Sequence, residues 1–322
     1  MSGPTVIPYN FAVVVDDSLM AITHVIRGED HISNTPRQIL LYRALSFVLP
    51  NFAHLSMVMG KDNTRLSKRH GATAVDQFQK DGILSPALFN YLVLLGWAPP
   101  DDKEVLSREE QVNLFNLRKV SRSAAIFDYN KLYWINRQHA KSLSARHMAE
   151  MAVPHMKAAE LLPERMTDDH WDWLEKVVTI FIERVDRFAD FPSQLDMLFK
   201  YAPQEMDEEI KKEIEGECAL KVISRFAQKI KDIEQFDYDQ FIAITQEIKQ
   251  DTGCKGKDLY HPLRIALTTQ GSGLDLDKFI PLVEEGAKLE MPRPLKNCSQ
   301  RVSEMLDYLN RRGALRNEEK KQ

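Results

Sequence analysis

Cysteine is scarce in this sequence: only three occur among 322 residues, namely Cys218, Cys254 and Cys298. Three cysteines cannot all pair with one another, and none belongs to a CxxC motif. The sequence therefore predicts a reducing, cytoplasmic compartment and no structural zinc site. Cys254 stands among glycines and lysines, and we interpret it as incidental rather than reactive.

Long apolar runs are missing as well. No stretch of the sequence approaches the roughly 18–20 residues that a membrane span needs. The first residues, Met-Ser-Gly-Pro-Thr, lack the charged start and apolar centre of a signal peptide. We therefore expect a protein that makes no use of a membrane.

No excess of one charge sign is present either, since 43 Lys and Arg against 47 Asp and Glu leave a net charge of −4. This balance excludes a polycation that coats nucleic acid by charge alone. The charge is nevertheless uneven, because residues 131–254 are acidic and residues 255–322 are basic. With 43% hydrophobic residues over this length, the sequence predicts two or three packed domains.

Several common motifs are absent, including GxxxxGK[ST], GxGxxG and HExxH. The adjacent pair Asp16 and Asp17 would point to opposite faces of a strand, which favours a turn over a metal site. We predict no protein-held metal.

Short runs rich in β-branched residues stand near the N-terminus. Residues 11–15, 22–26 and 52–59 predict buried strands. Between them, Thr35 predicts a helix N-cap, with Pro36 at the first helical position and Gln38 reaching back to the cap. Strand, helix and strand in this order predict part of an α/β sheet.

After about residue 72 the pattern becomes helical. Residues 86–95 predict a helix that ends at Gly96, and Ser107 with Glu110 forms a capping-box pattern. Helices are expected almost throughout from residue 139, with breaks near Pro154, Pro163, Pro203 and Gly253. The expected fold class is mostly α with a partial α/β unit.

The segment most informative about function is 65–71, Arg-Leu-Ser-Lys-Arg-His-Gly. Its three cations and hydroxyl suit a loop that binds a polyphosphate, since lysine acts as a movable charge and arginine as a bidentate donor. The alternative is an ordinary solvated basic turn. The candidate catalytic residues are Arg65, Ser67, Lys68 and Arg69.

Two further segments carry candidate binding residues. Arg27, at the end of a predicted strand, could hold a carboxylate or could pair with Glu29 or Asp30. Residues 252–264 combine glycines, basic residues and aromatic residues, which suits single-stranded RNA loops. The alternative there is a solvated connection between helices.

Taken together, these segments resemble the bacterial-type glutamyl-tRNA synthetases, which are class I aminoacyl-tRNA synthetases. The segment 65–69 resembles the second signature motif of that class, usually Lys-Leu-Ser-Lys-Arg in this family. Residues 9–12, 15–17, 23–31 and 34–36 follow the family pattern in order and spacing, as do 90–97, 127–132, 255–257 and 262–264.

The resemblance implies a function and a set of roles. It implies ATP-dependent activation of glutamate and its transfer to tRNA, with Mg²⁺ accompanying ATP. Lys68 would bind the ATP phosphates, Arg27 would hold the glutamate carboxylate, and Tyr9 would line the same pocket. Weaker candidates for tRNA contacts are Lys255, Lys257 and Arg264. Arg65 departs from the usual lysine, so its geometry differs.

The resemblance also implies a domain division. Residues 1–71 would be the C-terminal half of a Rossmann-like catalytic domain, 72–138 a helical stem-contact domain, and 139–322 an all-α anticodon-binding domain. The first family signature, a His-x-Gly-His type motif, is absent from this sequence. We therefore expect a monomer that needs a complementing N-terminal half, and the alternative function is a non-catalytic tRNA-binding module.

Overall fold

The computed structural model describes residues 7–67, 69, 71 and 73–313. The chain divides into two compact units between His139 and Ala140, called unit 1 and unit 2 below. Mostly helical structure with small parallel sheets confirms the expected fold class. The predicted three-domain division stays a prediction.

Unit 1 combines short strands with helices. Its elements are α1 (Tyr9–Leu19), β1 (His24–Gly28), α2 (Thr35–Ala44), β2 (Asn51–Leu55), β3 (Val58–Met59), α3 (Val75–Lys80), α4 (Ser85–Leu94), α5 (Arg108–Leu114), β4 (Ala125–Ile126) and α6 (Tyr129–Lys141), the last of which runs across the division.

Two parallel strand pairs organise unit 1. Strands β1 and β2 pair in parallel from His24 opposite Asn51 to Gly28 opposite Leu55, and α2 forms the crossover between them. Strands β3 and β4 form the second parallel pair. This arrangement confirms the expected partial α/β unit and brings the ends of β1 and β2 to one edge.

The prediction of a strand over residues 11–15 is wrong, because this segment lies inside helix α1. Val14 is fully buried, and Asn10 and Asp17, four residues before it and three after, are half-buried. That spacing places one helical face on α2. A short apolar run is compatible with either a buried strand or a buried helix, and packing decides here.

Two details near α2 also differ from prediction. Asn34 is the N-cap of α2, and no side chain caps this end. Gln38 does not reach back to Thr35 but bonds to other elements, described below. The single strand predicted over 52–59 is split into β2 and β3, which belong to different sheets.

The helical part of unit 1 is held by buried polar side chains. Ser107 and Glu110 form the predicted capping box at the start of α5. Asn90, fully buried on α4, donates to the Glu104 carbonyl at 3.0 Å and accepts from the Leu106 amide at 2.9 Å. These bonds fix the loop that precedes α5, since an unpaired buried amide would be costly.

Unit 2 is helical, as predicted. Its helices are α7 (Ala145–Ala158), α8 (Asp168–Phe181), α9 (Phe191–Gln194), α10 (Asp196–Phe199), α11 (Glu208–Ile214), α12 (Glu217–Ile230), α13 (Tyr238–Thr252), α14 (Lys257–Thr268), α15 (Leu276–Gly286) and α16 (Cys298–Arg311).

The predicted helix breaks are mostly confirmed. Pro163 lies between α7 and α8, and Gly253 ends α13 in the left-handed conformation, with φ of 72°. Pro154 is an exception because it lies inside α7. Met148, Ala149, Ala152 and Met156 bury one face of α7 on both sides of the proline, and this packing keeps the helix continuous.

The core of unit 2 surrounds a fully buried arginine, Arg301 on α16. Its Nε donates to the Lys296 carbonyl at 2.8 Å, its Nη1 donates to the Leu267 carbonyl at 3.1 Å, and its Nη2 donates to the Leu198 carbonyl. Burial lowers the pKa of Arg301 to about 10, so the side chain stays charged at neutral pH. A single guanidinium thus joins segments that are far apart in sequence.

Two of the three cysteines are paired. Cys218 at the start of α12 and Cys254 after α13 form a disulfide, with 6.4 Å between their Cα atoms. This bond differs from the interpretation of Cys254 as incidental. Cys298 is a buried free thiol. Within the described residues, no helix is both long and apolar enough to span a bilayer.

Candidate functional site

The basic segment 65–71 follows a tight turn in unit 1. The Gly60 amide donates to the Thr64 carbonyl at 2.7 Å, and the Leu66 amide donates to the Val58 carbonyl at 3.0 Å. Arg65 also pairs with Met59 as an isolated antiparallel bridge. The start of the segment therefore lies along β3, held by the backbone, while the side chains of Arg65 and Arg69 are exposed.

The two arginines of this segment contact nearby acidic residues. Arg65 lies 3.6 Å from the Asp30 carboxylate, and Arg69 lies 3.3 Å from that of Asp62. Arg69 also donates to Thr64 Oγ1 at 2.6 Å. Exposed ion pairs of this kind contribute about 0–1 kcal/mol, so an anionic ligand can replace them at little cost.

Not every predicted residue of the segment is described. Lys68, the main catalytic candidate, lies outside the described residues, and so does His70. Ser67 is described and half-buried.

The far end of the segment is held against α6. Gly71 has a φ of 116°, and a Cβ atom there would lie 2.9 Å from the hydroxyl of Tyr129. A larger residue would meet both backbone strain and this phenol. On the neighbouring side, Lys61 lies 3.4 Å from the Asp128 carboxylate. The start of the segment is thus fixed by β3, and Gly71 at its end lies close to Tyr129 at the start of α6.

Asp128 itself is positioned from α4. Its amide donates to the Tyr91 hydroxyl oxygen at 2.6 Å, and Tyr91 is only 1% exposed. Burial raises the pKa of Tyr91 to about 12, so the phenol stays neutral. The buried phenol links α4 to the junction of β4 and α6, beside the basic segment.

Arg27 lies next to the end of β1, as predicted. Its Nη2 donates to Thr35 Oγ1 at 2.8 Å and to Gln38 Oε1 at 2.7 Å, both on α2. Its Nε is buried and has no hydrogen-bond partner. An unsatisfied guanidinium N–H is the group that a bound carboxylate would satisfy.

The alternative ion pair of Arg27 with Glu29 or Asp30 is not observed within the described part of the chain. Glu29 accepts a hydrogen bond from the Met57 amide at 3.2 Å, and Asp30 faces Arg65. Arg27 therefore has neutral partners on α2 and no carboxylate among the described residues.

Tyr9 is connected to the surroundings of Arg27 through the adjacent residue, Asn10. Gln38 donates to Asn10 Oδ1 at 3.0 Å while its own oxygen accepts from Arg27, so one amide connects α1, α2 and β1. Tyr9 is 55% exposed and lies 6.2 Å from the ring of His31. Gln38 is a positioning residue that the sequence pattern does not reveal, because its 2% exposure on a helix is visible only in the structure.

The three RNA candidates of unit 2 lie in different environments. Lys255 and Lys257 are exposed, on and beside the turn that precedes α14. Gly256 in that turn has a φ of 58° and ψ of −129°, which favours glycine. Arg264 is half-buried on α14 and donates to the Leu274 carbonyl at 2.8 Å. Arg264 thus has a structural role, whereas the two lysines face solvent.

Comparison with known families follows this division of the chain. Residues 4–134 match the family "tRNA synthetases class I (E and Q), catalytic domain", and residues 147–286 match "Anticodon binding domain". Over residues 4–134 the chain is similar to the catalytic domain of the class I tRNA synthetases. The basic segment, Arg27 and Tyr9 lie in the first match, and the three RNA candidates lie in the second.

Individual relatives agree with the family. The chain is 41% identical over 275 residues to glutamate–tRNA ligase 1 of Caldicellulosiruptor saccharolyticus, covering 85% of this chain and 57% of the relative. It is 36% identical over 277 residues to the glutamate–tRNA ligase of Bacillus subtilis, with the same two coverages. The chain thus spans less than two thirds of the length of these relatives.

A solved structure shows the same fold. The glutamate tRNA ligase of Elizabethkingia meningosepticum, crystallised in complex with its amino acid, superposes with a TM-score of 0.76 at 24% identity. The superposition covers 93% of this chain and 60% of that one.

Proposed function

We propose that this chain is the part of a glutamate–tRNA ligase that carries the second signature loop, the amino-acid arginine and the anticodon-binding helices. The observation that carries the proposal is the buried Nε of Arg27, which has no hydrogen-bond partner. Arg27 belongs to the same unit as the basic segment. The relatives named above as glutamate–tRNA ligases support the same reaction.

ATP is the proposed ligand of the basic segment. Lys68 would place its ammonium on the phosphates and stabilise the charge that develops as the adenylate forms. Arg65, Ser67 and Arg69 would assist from the same segment, with the arginines released from their exposed ion pairs. Mg²⁺ would accompany the ATP phosphates.

Glutamate is the proposed ligand of Arg27. The guanidinium is oriented by Thr35 and Gln38, both uncharged, so its full charge remains for a substrate carboxylate. Tyr9 would line the same pocket from the start of α1.

Glutamate-accepting tRNA is the proposed partner of unit 2. Lys255 and Lys257 offer mobile charges to phosphates, whereas Arg264 contributes less because it is engaged with a carbonyl. We also propose that the protein is a cytoplasmic monomer with three domains, over residues 1–71, 72–138 and 139–322.

Catalysis by this chain requires a complementing N-terminal half with the first signature. Exposed apolar side chains on and beside α1 and α2 support this requirement, since they offer a surface for such a segment. They are Leu19, Met20, Leu40, Val48 and Leu49, each 46–88% exposed.

Glutamate-dependent ATP–pyrophosphate exchange tests the proposal, with cognate tRNA present and the N-terminal half of a related ligase added. We expect exchange with the parent chain and a loss of at least about 100-fold in Lys68→Ala, because electrostatic stabilisation of this kind is worth about 10²–10³ in rate. Lys80→Ala is the matched control, as Lys80 forms only an exposed ion pair with Asp76 at 3.7 Å.

Two results would contradict the proposal in different ways. Absence of exchange with every added N-terminal half, together with salt-dependent tRNA binding, would favour the non-catalytic tRNA-binding module. Equal losses of exchange and of tRNA affinity in Lys68→Ala would assign the loop to RNA binding or to structure.

A further inference from the structure

A cavity of about 280 Å³ lies between α4 and α5 in unit 1, and no role has been assigned to it so far. Its lining includes Ser85, Pro86, Phe89, Arg108 and Gln111. None of these residues belongs to the basic segment or to the surroundings of Arg27. The cavity is therefore a separate feature of the molecule.

Gln111 is the unusual member of this lining. It is only 3% exposed, and its Nε2 donates to the Leu106 carbonyl at 2.9 Å, which fixes the orientation of the amide. Its Oε1 is buried without a hydrogen-bond partner. A flipped amide would place two oxygens together, so this acceptor is left for a donor from outside the described residues.

Phe89 and Arg108 supply two flat surfaces at the same cavity. Phe89 is 45% exposed although its ring is large and apolar. The Arg108 guanidinium lies 5.9 Å from the centre of that ring, and no carboxylate of the described residues forms an ion pair with it. An aromatic ring and a guanidinium plane are the groups on which proteins stack unpaired RNA bases.

We propose that this cavity binds one unstacked RNA base that carries an exocyclic amino group, cytosine or adenine. The base would stack on Phe89, its amino group would donate to Gln111 Oε1, and Arg108 would contact the base or the adjoining phosphate. The inference rests on the proposed function only in its choice of RNA as the partner. An occupant without a hydrogen-bond donor would leave the Gln111 acceptor unsatisfied, which favours a ligand that carries an N–H group.

Fluorescence anisotropy of a labelled cytidine pentanucleotide with the parent chain tests this inference. A cytidine probe avoids the adenosine that an ATP site would bind. Removal of one base–aromatic stack is worth about 1–3 kcal/mol, so Phe89→Ala should weaken binding by at least about fivefold. Val112→Ala is the matched control, because Val112 is 69% exposed on α5 and does not line the cavity.

A second probe tests the acceptor. A uridine pentanucleotide presents a carbonyl where cytidine presents its amino group, so it should bind more weakly to the parent chain. In Phe89→Ala this preference should disappear. Circular dichroism spectra and melting temperatures of Phe89→Ala and Val112→Ala should match those of the parent, since both replaced side chains are exposed.

Several outcomes would overturn the inference. They are no binding of either pentanucleotide, equal binding of both, or binding that Phe89→Ala leaves unchanged while Arg108→Gln and added salt abolish it. The last result would mean attraction of phosphates alone. The assay needs neither glutamate nor pyrophosphate exchange, so the base site and the ligase activity can fail independently.

Discussion

Replacement of Arg301 by methionine should destabilise unit 2 strongly. The variant keeps an unbranched side chain of similar length but removes the donors to the carbonyls of Lys296, Leu267 and Leu198. All three carbonyls would then be buried without those donors, in a core where Arg301 itself is 0% exposed.

The magnitude follows from two opposing contributions. Each carbonyl left unpaired costs about 1–3 kcal/mol, so three would cost about 3–9 kcal/mol. Removal of the buried charge recovers about 1–4 kcal/mol, because the guanidinium no longer has to be desolvated on folding. Mid-range values, about 6 kcal/mol lost and about 2.5 kcal/mol recovered, give a net loss of about 3–4 kcal/mol in the free energy of unfolding.

Urea unfolding followed by circular dichroism measures this loss, and hydrogen exchange of peptides from residues 196–301 assigns it to unit 2. Arg301→Lys should lose less, because it keeps the charge but not the planar donor set. Arg312→Met removes an exposed arginine paired with Glu215 at 2.5 Å and should cost less than about 1 kcal/mol. Equal stability of Arg301→Met and Arg312→Met would refute the reasoning.

Two further predictions concern titration and thiols. Burial lowers the pKa of His139 below its ordinary value of 6.5, so the unfolded chain binds more protons at mildly acidic pH. The stability of unit 1 should therefore be constant above about pH 6.5 and fall as the pH drops through the folded-state pKa. His139→Gln should flatten this fall in urea titrations, and a fall of equal size in that variant would contradict the role of His139. Alkylation of the unfolded chain should label Cys298 alone before reduction and three cysteines after it, whereas three labels without reductant would disprove the disulfide.

Features encoded within a few residues could be predicted from the sequence. The capping box of Ser107 and Glu110 involves only four consecutive residues, and Gly253 ends a helix through its own φ of 72°. The run of residues 11–15 was misassigned because its β-branched residues are compatible with a strand, while packing on α2 makes it helical.

In the candidate site, too, local features could be predicted from the sequence and long-range contacts could not. The position of Arg27 at a strand end follows from local sequence, but its partners do not. Gln38 bonds to Arg27, 11 residues before it, and to Asn10, 28 residues before it, and no local pattern specifies these bonds. The same holds for Tyr91, whose hydroxyl holds the Asp128 amide 37 residues away.

The pair formed by β1 and β2 has a consequence for experiments in solution. Among the described residues each of these strands pairs only with the other, so both outer edges lack a neighbouring strand. Self-association through such edges rises with the square of the chain concentration, whereas pairing with an added half rises with the first power. Mixing should therefore be done at high dilution of this chain with the other half in excess, and the yield of the mixed complex should depend on the order of addition.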